Sequence, residues 1–172
     1  ANTYTGVTDL NAGTLIVSSL GNSISTAGTA TSVGISGIGT VFDNSNAITI
    51  GNGGTGAAIL QYVGPGETSD RKIRLNTTTG SDQIHADGSG PLILTNVAND
   101  MVAGAKTLFL RGTNNDGNMI TSQLSDNVGA LGITIDSNAT WILTNSANNY
   151  TGTTTVSAGA LGIGHNTAIG GP

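Results

Sequence analysis

Short apolar runs with polar residues between them recur along the chain. Ile48-Thr49-Ile50, Ile73-Arg74-Leu75, Leu108-Phe109-Leu110 and Ile133-Thr134-Ile135 set aliphatic side chains two residues apart. A period of two sends alternate side chains to opposite faces of a strand. On this pattern strands are predicted at 15–17, 40–42, 48–50, 59–63, 73–75, 92–94, 108–110, 119–121, 131–135 and 141–143, and around 156 and 161–163. Gly, Asn, Asp, Ser and Thr bound these runs, as turns require. The one stretch with a helical look, 96–106, is interrupted by Gly104. The chain is therefore expected to be all-β.

Strand spacing alone allows a sandwich, a barrel or a parallel β-helix, so internal repetition becomes the next question. Residues 2–17 match residues 148–163, with identities at Asn2/Asn148, Tyr4/Tyr150, Thr5/Thr151, Gly6/Gly152, Thr8/Thr154, Ala12/Ala158, Gly13/Gly159 and Leu15/Leu161. The first copy lacks the lead-in that Trp141-Ile142-Leu143-Thr144 supplies to the second. This suggests a slice of a longer repetitive protein.

Composition favours stacking over a thick core. Hydrophobic residues make up 37%, aromatics 3% and charged residues 9%, with 27 glycines among 172 residues. A disordered chain combines low hydrophobicity with high charge, which is not the case here. A thin core of stacked aliphatics suits a repeat architecture. The net charge of −5 comes from ten acids and five bases. The densest basic stretch, Arg71, Lys72 and Arg74 beside Glu67 and Asp70, reads as a solvated edge, and nucleic-acid binding is not expected. Cysteine is absent, so disulfides and thiolate metal sites are ruled out within this sequence. No signal-like segment or membrane span is visible, so any export signal is expected outside these residues.

The repeated residues resemble a known family, the passenger-associated (autotransporter-associated) β-strand repeat of bacterial surface proteins. The resemblance rests on Trp141, Leu143, Asn148 or Asn149, Tyr150, Thr151, Gly152, Thr154, Val156, Gly159 and Leu161. The amino-terminal copy retains Asn2, Tyr4, Thr5, Gly6, Thr8, Leu10, Gly13 and Leu15. A glycine usual after the Trp-Leu segment is replaced by Asn145-Ser146. The resemblance implies a right-handed parallel β-helix, with residues 1–172 as a single helical segment. At roughly 20–25 residues per coil, about seven or eight coils are expected. Gly13 and Gly159 are predicted at turns of positive φ, just before an inward Leu. Tyr4-Thr5-Gly6 and Tyr150-Thr151-Gly152 are predicted as turns, the tyrosine hydroxyl meeting a backbone group or water.

Residues 81–88 hold the best catalytic candidates, Asp82, His85 and Asp87. In an alternating strand Asp82 and Ile84 share one face, while His85 and Asp87 share the other. A glycosidase needs two carboxyls about 5–10 Å apart, and no acid-rich strand is evident at a coil's distance. An exposed strand entering the Asp87-Gly88 turn is the simpler reading. Asp116-Gly117-Asn118 and Asp87-Gly88-Ser89-Gly90 lack the spacing of calcium loops and read as Asx turns within ordinary turn clusters. The Gly-rich run at 51–56 lacks the Lys-Ser/Thr of a phosphate loop, and His165 stands alone in a turn. Sequons occur at Asn76, Asn138 and Asn149 and matter only in a glycosylating host. Thr153/Thr155 and Thr77/Thr79 could serve an ice-binding face, but the pairs are sporadic.

No catalytic, cofactor or metal residue is therefore assigned. The expected role is a non-enzymatic stalk, adhesin or filament module at the bacterial surface, and a carbohydrate-binding or carbohydrate-cleaving β-helix is the alternative. Expected partners are neighbouring repeats of the same chain or identical subunits end to end, with host or environmental surfaces and glycans as further candidates.

Overall fold

The structure is a computed structural model that describes residues 6–22, 47–51 and 53–171. Thirteen strands and no helix are present among the described residues. In chain order they are β1 (Thr8–Leu10), β2 (Gly13–Val17), β3 (Ile48–Ile50), β4 (Ala58–Tyr62), β5 (Glu67–Ser69), β6 (Ile73–Leu75) and β7 (Ser81–Ala86). β8 (Leu92–Leu94), β9 (Val97–Ala98), β10 (Lys106–Gly112), β11 (Asn118–Ile120), β12 (Leu131–Leu143) and β13 (Thr154–Ile163) follow.

Every strand pair is parallel, which makes the chain a parallel β-solenoid with three faces. The first face stacks β1, β3, β6 and β9. The second stacks β2, β4, β7, β10 and the first half of β12, and the third stacks β5, β8, β11 and its second half. β13 then lies along β12 from Ile133 to Leu143, with the ladder breaking register between Ile135 and Thr140, where the chain turns the corner. Ala58 lies against Asp82, Asp82 against Leu108, Leu108 against Ile133 and Ile133 against Thr154, steps of 24, 26, 25 and 21 residues.

The described residues make three complete three-faced coils (β3-β4-β5, β6-β7-β8 and β9-β10-β11), preceded by β1-β2 and followed by β12 and β13. This is short of the expected seven or eight. One reason is that Leu10 pairs with Ile50, one level on but 40 residues away, so more than a coil's length of chain lies between adjacent levels.

Alternation builds the core. In β10 the inward Lys106, Leu108, Leu110 and Gly112 are buried, and the residues between them are not. The inward columns are Leu60-Ile84-Leu110 and Leu94-Ile120-Leu143, with Ile48-Ile73-Val97 on the first face, all buried. Each column repeats at the roughly 4.8 Å spacing of a backbone ladder, so aliphatic burial grows level by level. Asparagines pin the corners between coils. Buried Asn118 accepts from the Leu92 amide at 3.0 Å and donates to the Thr140 carbonyl at 3.0 Å, and Asn99 donates to the Asp126 carbonyl at 2.8 Å. Each bond satisfies a backbone group that a turn would otherwise leave unpaired.

The predicted runs at 131–135 and 141–143 are one continuous strand, as are 156 and 161–163, because β12 carries the ladder around the corner. The short strands β1, β5 and β9 carry too few alternating positions to be legible in the sequence. The predicted strand at 40–42 lies outside the described residues. The 96–106 stretch contains β9 and the start of β10 and no helix.

Two expectations are corrected. Residues 81–88 are not an exposed strand, because β7 lies between β4 and β10 with its inner face buried. Arg71, Lys72 and Arg74 are not a solvated edge. Arg71 is buried and donates to the Leu20 carbonyl at 3.1 Å, Lys72 pairs with Asp100 at 2.5 Å, and Arg74 reaches the same carboxylate at 3.4 Å.

Candidate functional site

The repeated motif works as a coil coupler, as its carboxy-terminal copy makes clear. Asn148 accepts from the Leu124 amide at 2.8 Å and donates to the Ala168 carbonyl at 2.6 Å, tying three levels together. Tyr150 is buried, and its hydroxyl meets Thr154 Oγ1 at 2.9 Å instead of the expected backbone group or water. Thr151 donates through its amide and hydroxyl to Asp126, at 3.0 and 2.6 Å, and the Leu131 amide also donates to Asp126 at 2.9 Å. Desolvation works the other way, but these bonds hold the Asp126 carboxyl below its ordinary range. Trp141 is buried in register with Leu161 and donates its indole N–H to the Arg111 carbonyl at 3.1 Å.

The motif glycines have two different physical grounds. Gly13 and Gly159 have φ of 81° and 69°, as predicted, ahead of Leu15 and Leu161, which pack on the core. Gly152 is packed flat on the coil below, where a Cβ would lie 2.4 Å from the Leu131 carbonyl oxygen. Gly6, its counterpart, has open space around it. Tyr4 lies outside the described residues.

The catalytic candidates fall on two sides of the sheet, as the alternation predicts. Asp82 faces inward and is fully buried, and burial pushes its carboxyl up to about 6. Thr77 Oγ1 donates to it at 3.0 Å, its other oxygen has no hydrogen-bond partner, and the Lys106 charge lies nearby. His85 and Asp87 face outward, in a row the sequence reading did not assemble: Gln61, His85, Arg111 and Asp136, on four successive coils. Arg111 grips Asp136 with two prongs, Nε to Oδ1 at 2.5 Å and Nη2 to Oδ2. It also donates to Gln83 Oε1 at 2.6 Å and lies over the Phe109 ring at 4.5 Å from its centroid. Asp87 accepts from Gln61 at 2.8 Å and from Thr113 at 3.0 Å. His85 Nε2 sits 3.1 Å from Gln83 Oε1, so that nitrogen carries the proton. Burial pulls the His85 imidazole below its ordinary pKa.

This row is built for cohesion. Arg111 holds the Asp136 carboxyl below its usual range, the reverse of what a general acid needs. Asp82, the carboxyl that burial pushes up among the described residues, faces the core and not the row. The coils on either side set Gln61 and Arg111 beside His85, so no acid stands at a coil's distance from it in this row, and Asp136 lies two levels above with Arg111 between them. The signal was the 24-to-26-residue coil period, which links positions 61, 85, 111 and 136 once the coil length is known. Among the described residues no group of three or more His, Asp or Glu is placed to hold a metal ion. Nor does any described helix have the length and apolarity to cross a membrane.

The same outward face carries a groove of about 420 Å³ lined by Gly80, Gly132 and Gly152 and by threonines, among them Thr107, Thr134, Thr153 and Thr155.

Comparison with known proteins agrees with the motif geometry. A family model described as passenger-associated-transport-repeat matches residues 1–17 and 137–163. The chain is 35% identical over 145 residues to the adhesin BmaC autotransporter of Brucella suis biovar 1 (strain 1330), covering 82% of this chain. It spans only 4% of that protein's length. No solved structure matches the chain. Trp141, Asn148 and Thr151, which couple the coils, lie within the second matched stretch, and the chain carries the passenger-associated-transport-repeat of autotransporter proteins.

Proposed function

We propose that this chain is a mechanical module of an exported bacterial surface protein, a non-catalytic stalk or adhesin segment of residues 1–172. Its coils wind right-handed, as parallel crossovers do. The observation that carries the reading is the continuous parallel ladder, β4-β7-β10-β12-β13, with hydrogen-bonded side chains bridging successive coils. Such a ladder distributes load over backbone bonds. Localisation at the cell surface is supported by the likeness to an autotransporter adhesin.

The partners are further coils of the same kind, whether from the same chain or from identical subunits. At the β13 level the inward Val156 and Ile163 remain 48% and 41% exposed, stacked on buried Ile135 and Leu143 below. β13 carries no charged residue or proline to protect its outer edge, and such an edge recruits a parallel strand. The contact is head-to-tail and gives an open fibre. Sedimentation velocity and electron microscopy across a wide concentration range test this. End-to-end assemblies are expected, and Ala160→Lys, an exposed position on β13, should shorten them with the β-spectrum unchanged. A monomer at every concentration would overturn the association.

A further inference from the structure

We propose that Asp116 is a modification site, where the chain converts aspartate to isoaspartate unaided, and that the fold protects Asp87 from the same change. The sequence holds two Asp-Gly pairs, Asp87-Gly88 and Asp116-Gly117. Glycine has no Cβ to shield its amide nitrogen, so in such a pair that nitrogen reaches the preceding carboxyl most readily. The Gly117 nitrogen attacks Asp116 Cγ, the new N–Cγ bond closes an imide ring, and the carboxyl hydroxyl leaves with the amide proton as water. Water then opens the ring. Addition at Cγ restores aspartate, whereas addition at the original backbone carbonyl leaves the main chain running through Cβ and Cγ. The net composition is unchanged, and no reactant besides water is needed.

Around Asp116 the structure leaves room for this step. Asp116 is exposed in the corner that leads into β11. Gly117 has a φ of 83°, and a Cβ there would meet only the tip of the Ile142 side chain, at 3.3 Å. The buried Asn114 orients the acid in an Asx turn. Its Oδ1 accepts from the Asp116 amide at 3.0 Å, and its Nδ2 donates to Asp116 Oδ2 at 3.1 Å. That donor stabilises the negative charge that develops on the carboxyl oxygen as the ring closes.

Asp87-Gly88 is locked by comparison. Gln61 Nε2 and Thr113 Oγ1 donate to the two carboxyl oxygens of Asp87, at 2.8 and 3.0 Å. The Asp87 amide donates to the Tyr62 carbonyl at 2.8 Å, and Asn114 Nδ2 donates to the Gly88 carbonyl at 2.9 Å. Gly88 is packed on the coil below, where a Cβ would lie 2.1 Å from the Gly64 carbonyl oxygen. Ring closure here must break both carboxyl bonds and swing a peptide that has no room, which should slow it by about tenfold or more.

The change reaches the coil coupling. Isoaspartate lengthens the main chain between Asn114 and Asn118, the corner that Asn118 closes by donating to the Asn114 carbonyl at 3.0 Å. The same side chain joins the coils on either side through Leu92 and Thr140. The isomer should therefore unfold at lower urea than the parent chain.

The test is peptide mapping by mass spectrometry after prolonged incubation in heavy-oxygen water, which labels every ring that opens. Enzymatic methylation of isoaspartate is the second readout. In the folded chain, label and isoaspartate should accumulate at 116 about tenfold or more faster than at 87. In urea the two sites should react at similar rates. Asp116→Glu should abolish the product at 116 with the β-spectrum unchanged. The proposal is overturned if the folded chain stays unlabelled at Asp116, or if Asp87 keeps pace with it. It is equally overturned if Asp87 still lags in urea, since local sequence and not the fold would then set the difference. An isomer as stable as the parent would overturn the link to the Asn118 corner.

Discussion

Leu15 and Leu161 hold the same position in the repeated motif yet stand on different faces of the solenoid. Leu15 lies in register with Leu60 on the second face, and Leu161 with Trp141 on the third. Their neighbours shift likewise. Thr8 pairs with Ile48 on the first face, whereas its counterpart Thr154 pairs with Ile133 on the second. The motif is thus a local device around a left-handed glycine that occurs at two different azimuths of the solenoid. Successive copies need not line up along one side of the solenoid.

The motif glycines should not be equivalent. Gly152→Ala forces a Cβ into the Leu131 carbonyl and should destabilise by about 2 kcal/mol or more. Gly13→Ala meets no atom but must hold a φ of 81°, which costs about 1 kcal/mol. Gly6→Ala should stay within about 0.5 kcal/mol. Urea unfolding of the three variants gives the order, and a large effect at Gly6 would contradict the open space around it.

Asp82 should make the fold more stable in mild acid. Its carboxyl titrates near 6 in the folded chain against an ordinary value of 3.8, so the folded state binds the extra proton between those values. Stability from this group therefore falls as pH rises from 4 to 6, by on the order of 3 kcal/mol in all. His85 acts in the opposite sense. Its pKa is lowered on folding, so its contribution is lost as pH falls below 6.5. Unfolding followed from pH 4 to 8 in a His85→Gln background isolates the Asp82 slope, and Asp82→Asn should abolish it. A slope that persists in the Asn variant would assign it to another group.

The Arg111–Asp136 pair should contribute modestly. Both side chains are about a quarter exposed, 27% and 26%, so a double-mutant cycle should give a coupling of about 1 kcal/mol, weaker at high salt. Arg111→Lys should not restore it, since an ammonium has neither the two-pronged grip nor the flat contact with Phe109. His85→Ala with Asp87→Ala should leave assembly unchanged. Loss of a glycan-cleaving activity in that double variant would overturn the non-catalytic reading.

Core position should outweigh motif membership. Leu110, buried between Ile84 and the β12 level, should cost about 3 kcal/mol on replacement by Ala. Leu161 is only partly buried at the β13 level, and its replacement by Ala should cost clearly less. Leu161→Asp should still unfold the adjoining coils, since it places a charge on Trp141. Equal effects of the two Ala variants in thermal unfolding would argue that the β13 level is covered.

Much of this molecule was readable from the chain itself. Alternation at Ile48-Thr49-Ile50 or Leu108-Phe109-Leu110 depends on side chains two apart, and the left-handed turns at Gly13 and Gly159 depend on a residue's own backbone freedom. The repeat at 2–17 and 148–163 is likewise a property of the sequence alone. The tertiary structure decided what lies beside what. That Gln61, His85, Arg111 and Asp136 form one row depends on a coil length of 24 to 26 residues. So does the meeting of buried Asp82 with the field of Lys106. Coil length is set where corners such as Asn118 and Asn148 close their cross-coil bonds, between residues 22 and 20 positions apart. No local pattern carries that distance, because a one-residue change at any corner would send the next row of side chains to the other side of the sheet.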